Sequence, residues 1–157
     1  MKKLFLIINL LVIIFVPSVT FGNVIDKLNE VGKFTKLNET LVKSGLNEDL
    51  KSNGPFTVFA PLDDAFAAIS AKTYYGLLSE ANKEKLIKIL GRHVFSKKIT
   101  SSEINGEINL KAINGEEIKI KKVNGIVYIN EAEVVTADVE VSNGVIHFIN
   151  RVLQPLN

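Results

Sequence analysis

The sequence predicts an α+β fold, and three observations carry that reading. Apolar residues recur at helical spacing through most of the first half, and Asn-Gly pairs at 105, 114, 124 and 143 divide the second half into short β-rich segments. One β-preferring run, Phe56-Thr57-Val58-Phe59, interrupts the helical half. Helices first and a sheet second is an α+β grammar.

The elements follow in order. Lys2 and Lys3 precede an apolar stretch from Leu4 to Val16, which Pro17 and Ser18 end, and Thr20 and Gly22 are small residues placed for a cut after Gly22. This is the build of a signal peptide over residues 1–22, too short for a membrane-spanning helix, with a single domain over 23–157. No cysteine is present to carry a lipid at the cut. From Val24 to Leu50 the stripe Val24, Ile25, Leu28, Val31, Phe34, Leu37, Leu41 and Val42 predicts two short amphipathic helices. Pro55 leads into the strand at Phe56–Phe59, and Asp63 is placed to cap a helix that begins there. Ser79 is a candidate N-cap for a longer helix with Leu86, Ile87, Ile89, Leu90, His93 and Val94 on one face. Strands are expected at 107–110, 117–121, 126–129, 133–139 and 145–149, joined as an antiparallel meander by Asn-Gly turns. Residues 117–121 alternate polar and apolar, so one face is wet, whereas 145–149 is apolar on both faces and belongs between packed layers.

Charge and cysteine content exclude several functions. Two of the 19 basic residues leave with the signal and all 17 acidic residues remain, so the mature part carries 17 of each. A neutral chain with interspersed charges offers no nucleic-acid surface, and the small gathering of Lys119, Lys121 and Lys122 reads as a solvated strand edge. An exported domain without thiols holds itself together by burial alone and has no thiolate chemistry. Gly-x-Ser-x-Gly, His-Glu-x-x-His, phosphate-loop and dinucleotide patterns are absent from the sequence, so no enzyme and no cofactor are expected.

Individual residues read as structural. His93 and His147 with Asp138 could supply a metal site, but each histidine falls in an apolar helix face or strand, where a neutral, hydrogen-bonded imidazole is the ordinary outcome. Asp138 is expected to brace a turn or the sheet, and Asn143-Gly144 to make a hairpin turn rather than a recognition loop. Tyr74, Tyr75 and Tyr128 admit either an apolar groove or aromatic packing at the sheet edge. Asn38-Glu39-Thr40 fits an N-glycosylation pattern.

Three segments in this order resemble the fasciclin (FAS1) family. They are Thr57-Val58-Phe59-Ala60-Pro61-Leu62-Asp63-Asp64-Ala65-Phe66, then Leu90-Gly91-Arg92-His93-Val94, then Ala137-Asp138 with Ser142-Asn143-Gly144-Val145-Ile146-His147-Phe148-Ile149-Asn150-Arg151-Val152-Leu153-Gln154-Pro155. Leu62, Arg92 and Asn150 stand where the family often has Thr, Tyr and Asp. The resemblance implies a wedge-shaped β-sheet domain with packed helices, and Thr57, Phe59, Pro61, Asp63, Phe66, His93, Asp138, Asn143, Gly144 and His147 as its motif residues, expected to be structural. It also implies a secreted or periplasmic binding or adhesion module for an extracellular, matrix or envelope protein or glycan, without a membrane span after processing. The alternative it implies is a carrier of an apolar small ligand such as a carotenoid. Fold alone does not choose between them.

Overall fold

A computed structural model describes residues 20–154. The expected signal segment lies outside the described residues as far as Val19. Within them no helix is long and apolar enough to cross a membrane.

The helical region holds α1 (Val24–Val31), α2 (Thr35–Ser44) and the single turn α3 (Leu46–Asp49), three helices where two were expected. Gly45 explains the division, because it takes the left-handed conformation at φ 84° and closes α2. Asn23 starts α1 with a reciprocal cap, its side chain accepting from Asp26 N–H while its own N–H donates to the Asp26 carboxylate. Val42 was expected on the buried stripe of α2 but is 62% exposed. The inward positions are Leu37, Thr40, Leu41 and Ser44, and the two hydroxyls satisfy themselves on Leu37 O and Leu41 O.

Next come β1 (Phe56–Pro61), a 3₁₀ helix at Asp63–Ala68, α4 (Ala71–Leu77), capped by Ser70, and α5 (Lys83–Gly91). Ser79 caps nothing with its side chain, and its hydroxyl turns back to Gly76 O. On α5 Leu86 and Leu90 are buried while Ile87 is turned out, and the helix ends before His93 and Val94. Val94–Phe95 instead form a two-residue strand, β2, that the sequence reading missed.

The remaining strands are β3 (Glu107–Lys111), β4 (Glu117–Val123), β5 (Ile126–Ile129), β6 (Ala132–Val141) and β7 (Gly144–Ile149). They form one seven-stranded sheet in the order β2-β1-β7-β6-β5-β4-β3. Strands β3 to β7 are the expected antiparallel meander, but β1 joins it parallel to β7, from Phe56 against Gly144 to Pro61 against Ile149. Ile113 N–H donates to Val94 O at 2.9 Å and draws one end of the meander back toward β2, so the sheet curls. Asn124 and Gly125, at φ 51° and 81°, make the two-residue turn between β4 and β5 that right-twisted strands favour. The lysines at 119, 121 and 122 sit on β4, an internal strand and not an edge, and each is engaged. Lys119 pairs with Glu107 at 2.9 Å, Lys121 lies over the Tyr128 ring and Lys122 donates to Ser101 O.

The β1–β7 pair divides two cores. Alternate residues of a strand point to opposite faces, so Val58, Ala60, Ile146 and Phe148 face the helices, whereas Phe59 and Ile149 face the interior of the curled sheet. That is why 145–149 carries no wet side.

Candidate binding surface and the motif residues

Asp63 does not cap the turn it begins. Its carboxylate accepts from Thr35 N–H at 3.2 Å and Lys36 N–H at 2.9 Å, the first free amides of α2, whose own N-cap residue is Phe34 and has no side-chain acceptor. The segment after Asp63 is a 3₁₀ helix with Leu62 at its cap position. Tertiary packing has thus delivered the cap from 28 residues away, with a negative charge at a helix N-terminus. Asp63→Ala is expected to cost about 1–2 kcal/mol in urea unfolding and Asp63→Asn clearly less, since the amide oxygen still accepts. Equal stability of Asp63→Ala and the parent protein refutes this role.

Thr57 ties β1 to the segment after β2. Its hydroxyl donates to Lys97 O and accepts from Ile99 N–H at 2.8 Å. Phe59 stacks on His147 with ring centres 5.0 Å apart and meets Phe95 edge-on, and Phe66 meets Tyr74 edge-on. Pro61 ends β1 opposite Ile149.

Both histidines are buried. The Leu153 N–H donates to His93 Nε2 at 3.0 Å, so the proton sits on Nδ1, which lies 2.9 Å from Ile89 O. The Asp138 N–H donates to His147 Nδ1 at 3.1 Å, which puts the proton on Nε2 facing Ile99 O at 2.7 Å. Loss of solvation pushes His93 down to about 4, against the pull of the Ile89 carbonyl, and lowers His147 in the same way. Neither imidazole keeps a free lone pair with which to bind a metal.

Asp138 stands at φ 60° in an irregularity of β6 and accepts from the Ser101 N–H at 2.7 Å and the Ser101 hydroxyl. Burial raises its carboxyl, but these donors, with His147 and Lys122 nearby, hold it below the ordinary value. Ser101 was missed in the sequence reading. The signal was present in Thr100-x-x-Glu103, a capping box that fixes the short 3₁₀ turn carrying Ser101.

Asn143 lies in the β6–β7 hairpin turn, as expected, and does more than turn the chain, for it is only 7% exposed and its side chain works inward. Its carbonyl oxygen accepts from Val24 N–H at 3.0 Å, its amide donates to Leu50 O and Ser52 O at 2.8 Å each, and its backbone carbonyl accepts from Phe56 N–H. One residue thereby joins the start of α1, the end of the α3 segment and the start of β1. Gly144 beside it, at φ 156°, lies so close to Phe56 that a Cβ would stand 1.8 Å from the Phe56 carbonyl oxygen.

Arg92, on the half-turn before His93, is almost fully buried and pairs with Glu116 at 2.6 Å. Tyr74 is buried between Phe66 and Tyr75 and donates to Glu39 at 2.6 Å, with burial the main reason its hydroxyl is raised. Tyr75 is 67% exposed, and Tyr128 lies on the sheet, so the three tyrosines line no common groove. Within the glycosylation pattern, Asn38 donates to Asn29 and Thr40 is buried in α2.

The polar side chains of the motif are thus hydrogen-bonded within the domain, and the open cleft lies elsewhere. A cleft of about 680 Å³ runs between the 3₁₀ helix at 63–68, the β5–β6 turn and residues 150–154. Ala65, Ala68, Ile69 and Val152 supply apolar surface, and Asp64, Glu131 and Arg151 supply charge. A second cavity, among Tyr74, Leu86, Leu90 and His93, holds about 40 Å³. That is room for a water molecule, far below the several hundred Å³ of pockets that enclose organic ligands.

A curled sheet divided from a helical layer by a parallel β1–β7 pair is the architecture of a FAS1-type domain. A solved FAS1 domain pair from the insect cell adhesion molecule fasciclin I superposes with a TM-score of 0.74 at 22% identity, over 87% of this chain and 52% of that one. The family model of the fasciclin domain matches residues 32–155, and the chain belongs to the fasciclin family. The Synechocystis protein sll1483 is 46% identical over 123 residues, 78% of this chain and 67% of its own length. The transforming growth factor-beta-induced protein ig-h3 of Sus scrofa is 35% identical over 134 residues, 85% of this chain but 19% of that protein.

Proposed function

We propose that the chain is an exported binding module, without catalytic activity, that holds an extracellular or envelope protein through the cleft beside the 3₁₀ helix. The observation that carries this reading is the division of labour in the structure. The polar motif side chains are consumed by backbone groups inside the domain, while the cleft keeps apolar floor and charged rim open to a partner. Membership of a family that includes an insect cell adhesion molecule supports the adhesion class. Signal removal after Gly22 places the product in the periplasm or outside the cell, with Asn23 and its cap on Asp26 as the first residues of the mature chain.

The test is capture from envelope or matrix fractions on immobilised protein, followed by titration of the retained protein in purified form. Ala68→Trp, which fills the cleft from an exposed position, is expected to weaken binding at least about tenfold without moving the melting temperature. Absence of a reproducible partner, or binding unchanged in Ala68→Trp, rejects the proposal.

A further inference from the structure

We infer that the free edge of β3 pairs with β3 of a second copy of the same chain, making a weak two-fold dimer. Strand β3 ends the sheet opposite β2. The donations from Lys122 N–H to Gly106 O and from Ala112 N–H to Glu116 O fix the ladder with β4 at the even-numbered positions of β3. The N–H and C=O groups of Glu107, Asn109 and Lys111 therefore point away from β4. Among the described residues nothing donates to or accepts from them. The closure between Ile113 and Val94 lies beyond the end of β3 and leaves this stretch open.

An exposed edge is ordinarily blunted by charge, and here the charges instead specify a partner. Glu107-Ile108-Asn109-Leu110-Lys111 is complementary to its own reverse: acid, aliphatic, amide, aliphatic, base against base, aliphatic, amide, aliphatic, acid. In an antiparallel pair centred on Asn109, each Glu107, already paired with Lys119 of its own β4 at 2.9 Å, gains the Lys111 of the other copy as a second cation, and the two Asn109 residues face each other. In that register all outward N–H and C=O groups of the three residues meet as hydrogen-bonded pairs. Ile108 and Leu110, half-buried against the interior of the sheet, come beside Leu110 and Ile108 of the second copy on the same face. A parallel pair in register places Glu107 on Glu107 and Lys111 on Lys111, and like charges directly opposite oppose pairing. Direction and register are thus both selected. Five residues bury far less than the ~1,600 Å² of a standard interface, so the dimer is a high-concentration species.

Sedimentation velocity on the purified protein, from about 10 µM to about 1 mM, is expected to show a monomer–dimer equilibrium. Glu107→Lys alone and Lys111→Glu alone each place like charges opposite at both ends of the strand and should weaken self-association at least about tenfold, with circular dichroism checking that the fold survives the like charges each also meets on its own β4. Mixing the two variants restores complementary charge and should restore dimers. Asn109→Pro removes an outward N–H and leaves the β4 ladder intact, so it should keep the fold, as followed by circular dichroism, and lose the dimer. A protein that stays monomeric throughout, single variants that dimerise like the parent, or a mixture that fails to recover association overturns the inference.

Discussion

Gly144→Ala is expected to remove about 3–5 kcal/mol of stability. The added Cβ would lie 1.8 Å from Phe56 O and 2.7 Å from Phe56 C, and no flexible side chain stands there to yield. Strand β1 would have to retreat from β7 at the point where Phe56 N–H bonds Asn143 O, and the parallel pair that separates the two cores begins at this position. The φ of 156° adds backbone strain for any residue with a side chain. Gly125→Ala is the control. Gly125 also has a positive φ, of 81°, but nothing lies within 4 Å of an added Cβ, so only the conformational cost of about 1 kcal/mol applies. Thermal melts should separate the two by roughly 10 °C or more in a domain of this size. Similar melting temperatures for both variants would show that β1 and β7 have room between them.

The histidines should make the fold sensitive to acid. His147→Ala orphans the buried Ile99 carbonyl and Asp138 N–H and leaves a void beside Phe59, a combined loss of about 3 kcal/mol. His93→Ala does the same to Ile89 O and Leu153 N–H. Each imidazole is neutral in the folded protein because burial lowers its affinity for a proton. The unfolded chain binds protons near the ordinary value of 6.5 and the folded chain does not until about 4 at His93. Unfolding therefore takes up protons across this window, and stability is full above 6.5 and falls as the pH drops toward 4. For His93 the loss reaches about 3 kcal/mol, and His147 adds in the same direction. Asp138 and Glu103, both held below their ordinary values, extend the loss to lower pH. Denaturant unfolding at pH 7.5, 6, 5 and 4 checks this, and His93→Ala should show a smaller decline than the parent over that range. Zinc or a chelator should leave the parent's melting temperature unchanged. A zinc-dependent rise, or a histidine variant that keeps its stability, would reassign these residues from structure to ligand binding.

What was legible in the sequence was local. The period-two alternation of 117–121 gave an inward and an outward face, and the apolar run at 145–149 gave a strand with no wet side, because side-chain period and burial are properties of a short stretch of backbone. Asn124-Gly125 announced a tight turn because few residues tolerate two consecutive positive φ angles. The apolar surroundings of His93 and His147 pointed to buried, neutral rings for the same local reason. Tertiary structure decided which distant groups meet. Asp63 looks like a cap in any register, yet the amides it accepts from belong to α2, since α2 begins with Phe34 and has no acceptor of its own. Asn143 followed by Gly looks like a hairpin turn, yet its side chain is spent on Val24, Leu50 and Ser52. The parallel register of β1 on β7, the two-residue β2 and the open edge of β3 have no signature within their own segments. Strand partners are chosen by which faces can be buried together once the chain has closed its long loops, and that choice is made by the whole molecule.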